Sequence, residues 1–584
     1  MKSKFNKQPL IEVKGYEKNH SWEGYEQIIK EIKGKIDAID KEKKIVAMDF
    51  YPGVRVDEIR ENIIENFPEA ISIFTDEEIF FDNEFVTNKI KDYMTEDRVF
   101  GIMSPCQFID FIDQDKLHAT RKQIEEAKGL ILVYGVAASL LTKPDLHIYL
   151  DLARWEIQKR YRRGEIPNWK HNNYNDDILR KYKRGFFFEW RMADRYKKDH
   201  FENFHYILDT NLKDIPRMIT AKSFLVGLES ATKQPFSVVP FFDPGVWGGQ
   251  WMKEVCDLDR SVENYAWCFN CVPEENSLLL KVGEVIVEVP SINIVLKYPR
   301  PLLGEKVHAR FGTEFPIRFD FLDTIEGGNL SLQVHPLTEY IQENFGMHYT
   351  QDESYYILDA KEDAYVYLGV KTGTTKEKFF GDLAKAQEGE IEFSVEKYIN
   401  KIPAQKHDHF LIPAGTAHCS GVNSMVLEIS STPYIFTFKL WDWGRAGLDG
   451  KPRPIHIEHG SKVLQFDRDT EWTMNNLVNQ VKKVNEGKGW REEKTGLHER
   501  EFIETRRHWL SVPVLHDTEG ELNVLNLIEG EQAIVESPEG KFEPFIVNYA
   551  ETFIVPAAVG KYSITPYGPS KGKEIATIKA YVRF

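Results

Sequence analysis

At 584 residues, with 42% hydrophobic and 13% aromatic side chains, the chain is too long for one hydrophobic core and too apolar for a disordered polymer, so two to four folded domains are expected. Its formal charge of −16 argues against nucleic acid or an anionic membrane as a partner. Five cysteines (Cys106, Cys256, Cys268, Cys271 and Cys419) do not make a disulfide framework, and Cys268-Phe269-Asn270-Cys271 is a lone CxxC without a second pair to complete a zinc site.

The first residues are basic but lead into no apolar run, and no stretch of roughly 18 uncharged apolar residues occurs, so a cytoplasmic protein is expected. Residues 26–40 carry helical periodicity. The apolar run from Lys44 to Phe50 then reads as a strand, and Tyr51-Pro52-Gly53 as the turn before a helix near Val56. Strand, glycine turn and helix is the setting of a phosphate-binding loop, yet no GxxxxGK[ST] is present and no lysine stands where one would reach a phosphate. Residues 129–135 and 147–151 read as two short buried parallel strands. The arginine-rich run from Asp151 to Gly164 resembles the strand-to-lid passage of nucleoside and nucleotide kinases. That resemblance implies that residues 1–225 form a P-loop-kinase-like α/β domain that has lost its nucleotide phosphate cradle and serves regulation or substrate capture.

Residues 226–238, rich in Ser, Thr, Lys, Gln and Pro, read as a linker. Beyond it, Phe315 to Asp323 alternates apolar and polar as a strand, and Ser331-Leu332-Gln333-Val334-His335-Pro336 follows. Residues two apart on a strand share a face, so Gln333 and His335 point together. Glu353 opens another strand-like run, and His418 ends the Pro/Gly turn Pro413-Ala414-Gly415-Thr416-Ala417-His418. One amide oxygen, one carboxylate and two imidazoles make a donor set that suits zinc, with manganese, iron, cobalt and nickel as alternatives.

These motifs, in this order and spacing, resemble those of the type I phosphomannose isomerases, zinc-dependent mannose-6-phosphate isomerases of cupin fold. Val246-Trp247-Gly248-Gly249 also resembles a signature near the start of that family. The resemblance implies that Gln333, His335, Glu353 and His418 ligate Zn2+, that the substrate is a small-molecule sugar phosphate, and that mannose-6-phosphate and fructose-6-phosphate interconvert through an enediol. It further implies catalytic roles for Lys439, which stands where the family carries an arginine, for Arg445, which matches a second arginine of the short bacterial enzymes, and for Glu428. Glu428 is either the general base or a hydrogen-bond partner of a zinc ligand. One departure is Asp320, where many members carry a lysine, with Arg318 as a substitute on the same face. A cupin enzyme acting on a related sugar, or a sugar-phosphate sensor without turnover, are the competing readings.

Short strands separated by Gly/Pro turns predict antiparallel double-sheet barrels, and the resemblance implies that these are all-β double cupin (jelly-roll) barrels. The metal-binding cupin isomerase domain is expected over 239–453, a helical connector over 454–495, and a second cupin barrel over 496–584. The second barrel has Val559-Gly560-Lys561-Tyr562 where a metal-binding histidine would stand, so it is expected to be metal-free.

Overall fold

The computed structural model describes residues 3–447, 450, 453 and 455–584. It separates into two compact units, one of residues 10–231 with 273–298 and one of 1–9, 232–272 and 299–584.

The first unit is built on a seven-stranded sheet. Five strands run parallel in the spatial order Ile71–Phe74, Gly129–Gly135, Lys43–Phe50, Leu146–Asp151 and Tyr206–Asp209. Arg217–Thr220 and Ser21–Glu23 extend the edge antiparallel. Helices cover a parallel sheet on both faces, and for that reason Leu146–Asp151 is buried along its whole length, His147 and Asp151 included. Helix Tyr25–Asp37 buries the single stripe Ile28, Ile32 and Ile36, while helix Gln114–Glu126 starts where the Asp113 carboxylate accepts from the backbone N–H groups of Asp115 and Lys116. Residues 273–298, placed by the sequence within the 239–453 cupin stretch, pack here. Their hairpin Ser277–Val282/Val285–Pro290 takes Leu10–Glu12 as a parallel third strand. Helix Ala221–Ala231 runs through the first half of the expected linker, since Phe224 and Leu228 make an apolar face that its polar neighbours obscure.

The second unit contains two double-sheet β structures. In the first, a six-stranded antiparallel sheet (Phe241–Asp243, Trp267–Cys271, Ile317–Asp323, Ser424–Ser431, Glu353–Ala360, His409–Ile412) faces a five-stranded one. The second sheet comprises Ile399–Pro403, Tyr365–Val370, His418–Ser420, Leu332–Val334 and Phe438–Trp441. The second structure pairs sheets of six and four strands around a core that includes Leu510, Leu525, Leu527, Phe553 and Ile575. Only the first half of the expected helical connector is helical, at Ile457–Val463 and Thr470–Asn476. Its second half is the hairpin Lys482–Gly487/Trp490–Gly496, which opens the second barrel. Lys482–Gly487 is exposed along its length and lies at the sheet edge. Such a charged edge strand carries no apolar period by which it can be recognised.

Candidate metal centre

Gln333 lies directly opposite His418 on one neighbouring strand and Lys439 on the other, so these three side chains leave the same face of the five-stranded sheet. Glu353 enters from the facing sheet, where it is paired with Ser430. The gap between the sheets brings His335 Nε2 to 3.1 Å from Glu353 Oε2 and His418 Nε2 to 2.7 Å from Glu353 Oε1. The Gln333 amide lies 3.1 Å from His418 Nε2. His335, Glu353 and His418 thus offer three donor atoms all within 4.8 Å of one another, and all three residues are buried.

The imidazoles are held in one orientation by backbone carbonyls. His418 Nδ1 is 2.9 Å from the Thr416 oxygen and His335 Nδ1 is 3.4 Å from the Phe436 oxygen, so each Nδ1 carries the proton and each Nε2 turns a lone pair toward Glu353. Lone pairs on nitrogen and on carboxylate oxygen repel at these separations, and a cation between them removes the repulsion. Ligand atoms about 2.0–2.1 Å from a tetrahedral zinc stand roughly 3.3 Å apart, close to the spacings seen. The donor set therefore fits a divalent metal. Burial pushes His335 down, toward the neutral form a ligand needs.

The turn that delivers His418 has its own support. Gly415 sits at φ +85°, where a Cβ would come within 2.8 Å of Gln465 and 2.9 Å of Leu337, and its N–H donates to the His335 carbonyl. Arg468 donates to the carbonyls of Pro413 and Ala414, and Asp352 accepts from the Ala414 N–H. Asp352 and Glu353 are consecutive on a strand and so must face opposite ways, one toward the turn and one toward the metal site. Arg468 and Gln351, which donates to Glu353 Oε2 at 2.8 Å, carried no sequence signal, because each meets the site through an isolated tertiary contact.

Glu428 shares the interior face with Glu353, two residues along the strand from Ser430. It accepts from Arg318 (2.9 Å), Ser430 (2.8 Å) and Gln351 (3.3 Å). Burial, with the Glu353 charge beside it, pushes its carboxyl well above the usual range against the opposing pull of Arg318. Arg445 is engaged elsewhere, with Asp442 at 3.0 Å and the Asn329 carbonyl at 2.7 Å. His409 is fully buried with neither ring nitrogen hydrogen-bonded, and so is not the surface histidine its position beside a turn suggests.

In the α/β unit, the loop after Lys43–Phe50 is filled from within. Gly53 is at φ +118°, and a Cβ on it would meet Ile157 at 2.8 Å; Arg160, fully buried, donates to the Gly53, Thr210 and Asn211 carbonyls. The arginines expected to close over phosphates are paired internally: Arg154 with Asp194, Arg160 with Glu156, and Arg163 with Glu156 and Glu165. A cavity of about 740 Å³ remains beyond the carboxyl ends of the strands, lined among others by Phe50, Arg55, Phe74, Asp76 and Trp169.

A family model described as a domain of unknown function (DUF8485) matches residues 24–233. Mannose-6-phosphate isomerase ManA of Bacillus subtilis is 24% identical over 238 residues, which are 40% of this chain and 69% of that protein. Mannose-6-phosphate isomerase of Streptococcus mutans is 26% identical over 230 residues, 39% of this chain and 67% of the relative. The probable mannose-6-phosphate isomerase GmuF of B. subtilis is 29% identical over 153 residues, and there the match spans 26% of this chain and 45% of the relative. Among solved structures, the B. subtilis mannose 6-phosphate isomerase aligns over 60% of this chain and 99% of its own, with 18% identity and a TM-score of 0.47. The chain is therefore homologous to mannose-6-phosphate isomerases over about 40% of its length.

Proposed function

We propose that the chain is a zinc-dependent aldose–ketose isomerase that interconverts mannose-6-phosphate and fructose-6-phosphate through an enediol, with Gln333, His335, Glu353 and His418 as the metal ligands. The observation that carries this reading is the convergence of two carbonyl-anchored imidazoles on one buried carboxylate, in a chain homologous to mannose-6-phosphate isomerases over about 40% of its length. Zinc, when bound, supplies Lewis acidity to the sugar carbonyl. Glu428, whose burial makes its ionised carboxylate more basic than a solvated one, is suited in that form to take a proton from one carbon and return it to its neighbour. Lys439, on the same face as Gln333, supplies a donor toward oxygen as negative charge grows there. Arg445 holds the loop at Asn329 against Asp442 and so shapes the pocket wall. The test is a coupled assay for fructose-6-phosphate formation from mannose-6-phosphate by the zinc-loaded chain. Absence of turnover, with zinc bound at one equivalent, would end the mannose-6-phosphate isomerase reading and leave an enzyme for a related sugar or a binding protein.

For the α/β unit we infer ligand capture rather than phosphoryl transfer. The reading is supported by Ile157 and Arg160, which fill the place a phosphate cradle would need, and by the cavity beyond the sheet. Measurable ATPase or sugar-kinase turnover by the full chain would refute it.

A further inference from the structure

The barrel interior holds more polar atoms than the metal ligands use. Two cross-strand rows lie side by side: Arg318, Ser430 and Glu353 in one, Asp320, Glu428 and Tyr355 in the next. Arg318, Asp320, Gln351 and Glu428 are each at most 5% exposed. Arg318 donates through Nε (2.9 Å) and Nη2 (2.5 Å) to Asp320 Oδ2, and through Nη2 to Glu428 Oε1. Gln351 spans from Glu428 to Glu353 with its amide nitrogen.

Each of three groups in this array uses one side only. Arg318 Nη1, Asp320 Oδ1 and Gln351 Oε1 are buried with no hydrogen-bond partner. Buried polar atoms in native proteins are nearly always satisfied, and three orphans in one network mark a place where something polar is taken up. The charge of the array says what that is. The one guanidinium is already shared between the Asp320 and Glu428 carboxyl groups, so no cation is left over to hold a phosphate. A hydroxyl group donates to one atom and accepts from another, and the three orphans comprise one donor, Arg318 Nη1, and two acceptors, Asp320 Oδ1 and Gln351 Oε1. A third carboxylate, that of Glu353, stands one hydrogen bond away through Gln351 and is likewise no partner for a phosphate.

We propose that Arg318, Asp320 and Gln351 form a hydroxyl-reading subsite beside the metal, which positions the sugar's carbon chain through hydroxyl groups adjacent to the reacting carbons and leaves the phosphate outside the array. This inference rests on the isomerase reading of the same site. These are positioning residues, and they set which sugar is accepted.

The experiment compares wild type with Asp320→Asn and Arg318→Lys, all zinc-loaded and full-length, on mannose-6-phosphate and on its 3-deoxy and 4-deoxy analogues. Asparagine keeps the shape but must present a donor either to Arg318 or to the sugar; lysine keeps the charge that Asp320 and Glu428 need but withdraws Nη1. On the parent sugar each variant is expected to lose about 10- to 100-fold in kcat/KM, the range for one hydrogen bond to a charged group, with the loss in KM. On the analogue that lacks the hydroxyl read by that residue, the same variant is expected to match wild type within about threefold, the signature of a removed pairwise contact. An equal loss on all three sugars, or no loss on the parent, would overturn the proposal. Melting temperature and zinc content identify a variant that fails to fold, and the other variant then decides. If wild type turns over none of the sugars, the isomerase reading fails by itself. Equilibrium binding of the same three compounds then carries the test, with deoxy-selective loss upholding the subsite and uniform loss overturning it.

Discussion

Replacing Lys439 by alanine separates a catalytic cation from a structural one. Lys439 sits directly opposite Gln333, and its Cβ leaves the sheet on the ligand face. The competing cation, Arg445, has its guanidinium committed to Asp442 and to the Asn329 carbonyl. Removing one preorganised donor to a developing oxyanion costs about 10²–10³ in rate, or roughly 2.7–4 kcal/mol of barrier. Lys439→Ala is therefore expected to lower kcat by that factor at saturating zinc. Arg445→Ala leaves Asp442 still paired with Arg453 at 2.8 Å, so about 1 kcal/mol of stability is expected to go while kcat stays nearly unchanged. The assay is the coupled fructose-6-phosphate reading with thermal melts of both variants. A wild-type kcat in Lys439→Ala, with collapse in Arg445→Ala, would move the catalytic assignment to Arg445. Equal collapse in both would mean that the two cations share the substrate.

His335→Ala and His418→Ala are each expected to lose stoichiometric zinc and activity while the chain stays folded, and wild type is expected to hold one zinc per chain by elemental analysis; retention of full metal in either variant would remove that histidine from the donor set. The second barrel carries an acid sensitivity of its own. Burial pushes His508 and His516 down, with Lys579 nearby adding to the effect, and their rings are 4.7 Å apart. Their native pKa values lie below the unfolded value of about 6.5, so as pH falls below that value the unfolded chain takes up protons that the native barrel refuses. Stability is then lost by up to about 1.4 kcal/mol per pH unit for each imidazole. Melts from pH 7.5 to 5.5 should show this slope, and His516→Phe, whose ring can keep the stack on Tyr562, should show less of it; an unchanged slope in the variant would refute the assignment.

The cluster of His335, Glu353 and His418, with Gln333 beside it, was legible because each part of it is local. Gln-x-His needs only the two-residue period of a strand, and the Pro-x-Gly-Thr-x-His turn needs only Gly415 at its positive φ. Glu428 and Lys439 were singled out through resemblance, and in register Glu428 stands opposite Tyr355 and Asp320 and Lys439 opposite Gln333. What could not be read is what depends on register across strands far apart in sequence. Arg318 meets Glu428 110 residues away, and nothing local to either says so. The same holds in the α/β unit. Strand, glycine and helix were visible around Gly53, but Arg160, which occupies that loop, comes 107 residues later. The chain's return to the α/β unit at 273–298 was hidden for another reason, since an amphipathic hairpin looks the same whichever unit it pairs with.

The interior charges bear on stability as well as chemistry. Glu353, Glu428 and Asp320 bring three carboxylates into the barrel against the single guanidinium of Arg318, all at most 5% exposed. With all four groups ionised the array carries two negative charges in excess, and a bound dication neutralises them. Without metal the lone pairs of His335, His418 and Glu353 are left facing one another. If zinc is the metal held there, the folded chain is expected to bind it far better than the unfolded chain does and to be stabilised by mass action, by about 2.7 kcal/mol when free metal stands at 100 times its dissociation constant. Chelation of the zinc-loaded protein is expected to lower the melting temperature of the barrel that contains His335 and to abolish activity, with both restored by zinc. Unchanged melting on removal of a full equivalent of zinc would mean that the four groups are balanced by protons instead, and that the metal contributes chemistry but not stability.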